Sequence, residues 1–224
     1  MKRLFWMLFP LLILMGSSLI QAEEFKRFEF QTFGGFTASG DIPLVGEDDV
    51  KHGSVHVDSS YNAGATFAVN FHEVDAVEVH WQRQFTEGRL PAELAVPPSS
   101  GNLTAFNLKI DQYHVNFLHH YKISDPKALP YVMAGLGATT YYADHDGQSG
   151  SRSYFSFAIG GGIKYFLTSY FGFRGEARWT PTFVSSSDSS FWCNIGGSGA
   201  NCLINLNSAV QNQLDLTGGV VFRF

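Results

Sequence analysis

The sequence predicts an all-β chain: an eight-stranded antiparallel up-and-down transmembrane β-barrel, preceded by a cleaved signal peptide. Three observations point there. Apolar and polar residues alternate over eight segments, the connections between segments alternate between short and long, and the last segment runs to an aromatic end. In that segment Leu214, Leu216, Gly218, Val220, Phe222 and Phe224 occupy every second position, with Asp215, Thr217, Gly219, Val221 and Arg223 between them. A period of two means a strand with one apolar face, and about 9–11 tilted residues cross a bilayer. Such a strand, carried to an aromatic terminus, is expected where a barrel closes and leaves no unpaired edge in lipid.

The first element is a leader. Lys2 and Arg3 precede an apolar run from Leu4 to Leu14, and Gly16, Ser17 and Ser18 lead to Ile20-Gln21-Ala22. These are the three regions of a secretory signal peptide, with cleavage expected after Ala22. The domains are then residues 1–22, the signal peptide, and residues 23–224, the barrel. After residue 22 no stretch approaches the ~18 apolar residues of a membrane helix, although aromatics make up 15% of the chain and Phe alone numbers 21. Losing Lys2 and Arg3 makes the formal charge of −5 more negative by two, which argues against nucleic acid as a partner.

The strands are expected at Arg27–Thr37, Ser60–Phe71, Ala76–Phe85, Ala105–Tyr121, Pro130–Tyr142, Tyr154–Phe166, Phe171–Thr180 and Gln213–Phe224. The connections His72–Asp75, Ile123–Leu129 and Leu167–Tyr170 are short, whereas Ala38–Ser59, Thr86–Thr104, Ala143–Ser153 and Pro181–Asn212 are longer. Tight turns at one end and long loops at the other mark an up-and-down membrane barrel. In the third strand Val77, Val79, Trp81 and Phe85 oppose Glu78, His80, Gln82 and Gln84. In the seventh, Phe171, Phe173, Ala177 and Trp179 oppose Arg174, Glu176 and Arg178. The fourth is irregular: Tyr113, Val115 and Phe117 share one parity and Phe106, Leu108 and Ile110 the other, so a bulge near Asp111, or an upper half above the membrane, is expected.

A soluble barrel would turn its large apolar set inward. The signal peptide and Phe224 reverse that assignment, so the charges face the lumen. The expected inward set is Glu29, Glu78, His80, His114, Lys164, Arg174, Glu176, Arg178, Asp215 and Arg223. Both signs are present, and buried charges must pair. Arg174, Glu176 and Arg178 are expected to pair with neighbouring strands, Lys164 and Asp215 being nearest in order.

Four stretches carry a family resemblance. Pro130-Tyr131-Val132-Met133-Ala134-Gly135-Leu136-Gly137, Gly160-Gly161-Gly162-Ile163-Lys164-Tyr165-Phe166, Phe173-Arg174-Gly175-Glu176-Ala177-Arg178 and Phe222-Arg223-Phe224 resemble the small outer-membrane β-barrel domain family, itself similar to the transmembrane domain of outer membrane protein A. The resemblance implies a Gram-negative type outer membrane with both mature termini periplasmic. It implies outer-membrane lipids as surroundings and insertion by a barrel-assembly machinery that reads Leu214, Leu216, Val220, Phe222 and Phe224. The surface partner is unknown.

Cys193 and Cys202 are the only cysteines and fall in one Gly-rich connection, so they are expected to form a disulfide. No cofactor or metal is expected: the acidic first loop, with Asp41, Glu47, Asp48 and Asp49, lacks a calcium-ligand spacing. Catalysis on lipid would need a nucleophile and base converging at the outer rim. His119 and His120 sit at the other end, and His145 with Asp144 and Asp146 lies in a loop without a recognised flanking pattern. The resulting expectation is a non-enzymatic barrel with a structural or surface-interaction role and a lumen filled by paired charges. Two alternatives stand beside it: a narrow porin-like conduit for small solutes, and a lipid-modifying enzyme.

Overall fold

The structure, a computed structural model, describes residues 26–45, 51–90, 104–145, 148–184 and 209–224. Among the described residues there are ten strands: β1 (Phe28–Ser39), β2 (Ile42–Val45), β3 (Lys51–Val57), β4 (Ser60–Asn70), β5 (Asp75–Leu90), β6 (Thr104–His120), β7 (Ala128–His145), β8 (Gln148–Phe166), β9 (Phe171–Val184) and β10 (Ala209–Arg223). Eight of them form a ring, β1-β4-β5-β6-β7-β8-β9-β10, each antiparallel to its neighbours. The ring closes because β1 pairs with β10 from Glu29↔Arg223 to Ser39↔Gln213. Closure removes every free edge from the barrel wall, the condition lipid imposes on a sheet.

Side-chain parity fixes inside and outside. Along β1 the buried positions are Glu29, Gln31, Phe33 and Thr37, while Phe28, Phe30 and Phe36 are exposed. On β10 the exposed positions include Val210, Leu214, Leu216 and Phe222, with exposed Phe224 just past its end, and the buried ones are Gln211, Gln213, Asp215 and Val221. The apolar face therefore looks outward all round. A belt of rings closes its short-turn end: Phe67, Phe30, Phe222 and Phe171 are successive cross-strand neighbours on β4, β1, β10 and β9. Phe171 and Phe222 stand 5.3 Å apart between ring centres. Such a girdle belongs at a membrane–water interface.

Three details depart from the sequence-based expectation. The connection expected at Ala38–Ser59 contains a hairpin, β2–β3, in which Ile42 pairs with Val55. It joins the wall through His56↔Arg89 and Val57↔Gly88. The connection expected at Ala143–Ser153 is mostly ladder, running to His145↔Gln148. β6 has no bulge at Asp111, since its register with β5 runs unbroken from Asp75↔His119 to Leu90↔Thr104. What changes along β6 is its surroundings: Leu108, Ile110, Gln112, His114, Asn116, Leu118 and His120 are all buried on the lumen side. The inner face of β6 turns apolar toward the long-loop end, at Leu108 and Ile110, and Ile42, Val55 and Val57 of the hairpin are buried as well. Polar side chains share that height, since Gln84 is the cross-strand neighbour of Ile110 and Gln211 is buried on β10.

Candidate functional site

The polar part of the lumen holds the side chains with most chemical potential. β9 supplies three of them because its inward positions alternate with Phe171, Phe173 and Trp179 outside. Arg174 lies at the centre. Its Nη1 meets Glu78 Oε2 and its Nη2 meets Glu176 Oε2. Nη1 also donates to Gln31 Oε1 at 2.8 Å, and Nε donates to the Tyr131 hydroxyl at 2.5 Å. That hydroxyl donates onward to Glu176 Oε2 at 2.6 Å. Arg178 Nε donates to Glu176 Oε1 at 3.0 Å, and Asn116 Nδ2 donates to Glu78 Oε1 at 3.1 Å.

Nearer the short-turn end, Lys164 Nζ lies 2.5 Å from Glu29 Oε2 and Arg223 Nη2 lies 3.0 Å from Glu29 Oε1. Asn70 Nδ2 donates to the same carboxylate at 3.2 Å. The Lys164, Glu29, Arg174, Glu78, Glu176 and Arg178 side chains are between 0% and 4% exposed, so this is a buried network rather than a wet surface cluster. Glu29, Glu78, Glu176 and Asp215 balance Lys164, Arg174, Arg178 and Arg223 in formal charge. A buried ion left alone costs several kcal/mol, and only close pairing with further hydrogen bonds compensates it.

The pairing differs from the sequence-based expectation in its partners. Lys164 and Asp215 are the register neighbours of Arg174 and Arg178. Yet Lys164 is bound to Glu29, two strands beyond β9 around the ring. Asp215 accepts hydrogen bonds from Thr37 Oγ1 at 2.5 Å, Gln82 Nε2 at 2.8 Å and Asn62 Nδ2 at 3.4 Å. The reason is physical: Lys164 beside Arg174 is a like-charge row, and long side chains in a narrow barrel reach across the lumen to opposite charge. Tyr131, Gln31, Asn70 and Asn116 belong to the network and were not singled out from sequence. Their inward parity was the available signal; Tyr131 was obscured because tyrosine also populates membrane girdles.

Above the ion pairs lies a second polar layer. His114 Nε2 is 3.0 Å from Ser156 Oγ, which also accepts from Thr139. His80 stacks on Phe33 at 5.2 Å between ring centres. Phe33 fits there because its cross-strand neighbour is Gly64, where a Cβ would fall 2.5 Å from the Phe33 ring. Several buried atoms in this layer have no protein partner, among them both His80 nitrogens, Gln82 Oε1, Asp215 Oδ2 and Thr180 Oγ1. Such groups are normally satisfied by internal water.

His119 Nδ1 meets Asp75 Oδ1 at 2.7 Å at the short-turn end, and His120 is buried on the lumen side. Asp146, Cys193, Cys202 and the leader 1–22 lie outside the described residues. Among the described residues no group of three or more His, Cys, Asp or Glu is placed to hold a metal.

A closed ring with a lipid-ready outside and a charged inside defines a transmembrane β-barrel. The chain belongs to the outer membrane protein beta-barrel domain family, whose model matches residues 9–224. It is similar in fold to Neisserial surface protein A, at TM-score 0.57 and 14% identity over 88% of this chain and 97% of that one. It is also similar to the outer membrane protein OprG from Pseudomonas aeruginosa, at TM-score 0.50 and 16% identity over 89% of this chain and 97% of that one. No curated protein matches the sequence.

Proposed function

We propose that this outer-membrane barrel is a non-enzymatic integral protein with a structural or surface-interaction role, its lumen closed by paired charges. The observation that carries the reading is the network around Arg174 and Glu29. Every wall strand contributes to it: Glu29 and Gln31 from β1, Asn70 from β4, Glu78 from β5, Asn116 from β6, Tyr131 from β7, Lys164 from β8, Arg174, Glu176 and Arg178 from β9, and Arg223 from β10. Eight tilted strands leave an interior that side chains can fill, and here they reach across it from all sides. The mature termini face the periplasm and the long-loop end faces outward, the arrangement in which the short turns are periplasmic.

Planar-bilayer recording of the folded protein tests the plug. The expected result is no discrete channel events. A narrow conduit for small solutes is the second reading, favoured by the unpartnered polar atoms of the layer above the ion pairs, which suit water. Reproducible single-channel steps from correctly folded protein would establish the conduit and overturn the plug.

A further inference from the structure

We propose that the outward face of β5–β8, just above the apolar belt at the long-loop end, is a binding groove for the phosphorylated sugar headgroup of an outer-leaflet glycolipid. A groove of about 880 Å³ lies there. Its floor is a row of cross-strand neighbours: Phe85 on β5, Lys109 on β6, Tyr142 on β7 and Ser151 on β8. One step toward the membrane the outward row is Arg83, Asp111, Thr140 and Ser153; one further step down it is Trp81, Tyr113, Ala138 and Phe155. The groove therefore begins where the lipid-facing rings end. That is the height at which headgroups lie, and acyl chains hanging from a bound headgroup would run down over Trp81, Tyr113 and Phe155.

The charges select the ligand. Arg83 Nε and Nη2 each hold Asp111 at 2.6 Å, and Tyr113 donates to the same carboxylate at 3.1 Å. Asp111 is thus fully engaged, while Arg83 remains 37% exposed. Lys109 has no carboxylate within ion-pair distance among the described residues. Two cations at the lower end of the groove suit a phosphate. Acids stand higher: Asp58 is held by Arg89 at 2.6 Å, and Glu87 is exposed beside Asn107. Those groups, with Ser151, suit the hydroxyls and amide N–H of a sugar rather than a second phosphate. The exposed rings of Phe85 and Tyr142 flank Lys109 and offer apolar surface to a pyranose. Four strands at about 4.8 Å spacing make a floor roughly 14 Å wide, broad enough for a sugar headgroup.

The proposal rests on the long-loop end facing outward, as proposed above, and not on the plug. Its test is a titration of the full barrel in detergent micelles with monophosphorylated lipid A, the same lipid stripped of phosphate, and phosphatidylglycerol. Monophosphorylated lipid A should bind best. Lys109→Gln, at an exposed position, should weaken it about tenfold, the loss of one charge-assisted contact, and Lys109→Arg should retain it. Equal binding of the stripped lipid or of phosphatidylglycerol, or an unchanged Lys109→Gln titration, would overturn the groove. The titration is indifferent to conductance, so its failure would leave the plug intact. Labelling of a Gly150→Cys variant on whole cells tests the orientation separately: labelling from outside supports the leaflet assignment, and access from the periplasm alone overturns it.

Discussion

Tyr131 has one hydroxyl and two charged neighbours, and it serves both: it accepts from Arg174 and donates to Glu176. Removing that oxygen with Tyr131→Phe leaves a buried guanidinium and a buried carboxylate each one partner short. Glu176 is the more costly loss. Glu176→Leu deletes the carboxylate shared by Arg174, Arg178 and Tyr131. Removing one member of a buried pair destabilises by about 3–5 kcal/mol, whereas the Tyr131 hydroxyl is worth about 1–3 kcal/mol. Urea titration of the folded and unfolded bands in detergent should rank the variants in that order; a Glu176→Leu barrel as resistant as the parent would show that the network contributes nothing net. In the short turns, beyond the membrane-spanning strands, the Lys122 ammonium hydrogen-bonded to Glu73 holds that carboxyl below its ordinary value of 4.5. A lowered carboxyl stabilises above its unfolded pKa and loses that contribution as pH falls through the folded one. NMR titration should give Glu73 a midpoint below 4.5, returning toward it in Lys122→Ala. Which charges face inward was legible from parity alone. Their partners were not, because parity says nothing of how far an inward lysine reaches across a lumen.

Strands were legible where one face meets lipid and the other does not, because that contrast writes a period of two into the sequence. β9 and β10 carry it throughout. The upper half of β6 was misleading for the same reason: Leu108 and Ile110 are inward and buried although apolar, so the pattern mimics a change of face. β2 escaped notice because it has four residues and contains Pro43, which suits an edge position. Glycines separate two demands on a strand. At Gly218 an added Cβ would meet nothing within 4 Å; at Gly64 it would fall 2.2 Å from the Trp81 carbonyl oxygen and against the Phe33 ring. Gly218→Ala should therefore leave the urea midpoint unchanged or raise it slightly, by the ~0.4–1 kcal/mol of reduced chain freedom. Gly64→Ala should lower it clearly. Equal midpoints for the two would refute the packing around Phe33. The closing strand makes its own prediction. Phe224 pairs its backbone with Phe28 in both directions and stacks on its ring at 6.1 Å between centres. Deleting Phe224 should reduce the amount of folded barrel recovered in the outer membrane, and undiminished recovery would show that the last residue carries no insertion signal.

At the scale of the whole molecule, the proposed reading puts two unlike barriers in series along one lumen. On that reading the ion-pair network closes the short-turn half. The second barrier is the apolar layer expected from Leu108 and Ile110 with Ile42, Val55 and Val57 of the hairpin, all of them buried at the long-loop end. The wall does not depend on the hairpin, because the ring of eight strands is complete without β2 and β3. Replacing residues 41–58 by a short Gly-Ser turn should therefore leave a barrel that still resists detergent unfolding but binds an apolar dye at its mouth. It should not conduct, since the network beneath is untouched. Glu78→Ala combined with Arg174→Ala removes a buried acid and base together, so no ion is stranded by that exchange alone. It vacates space on the axis, yet the apolar layer above still excludes ions, and this variant should also stay closed. Only the hairpin replacement and the two alanines in one chain should give steady conductance in planar bilayers. Conductance from the hairpin replacement alone would mean the network does not seal the lumen. Silence from the combined variant would place a further barrier in the polar layer of His80, His114 and Phe33.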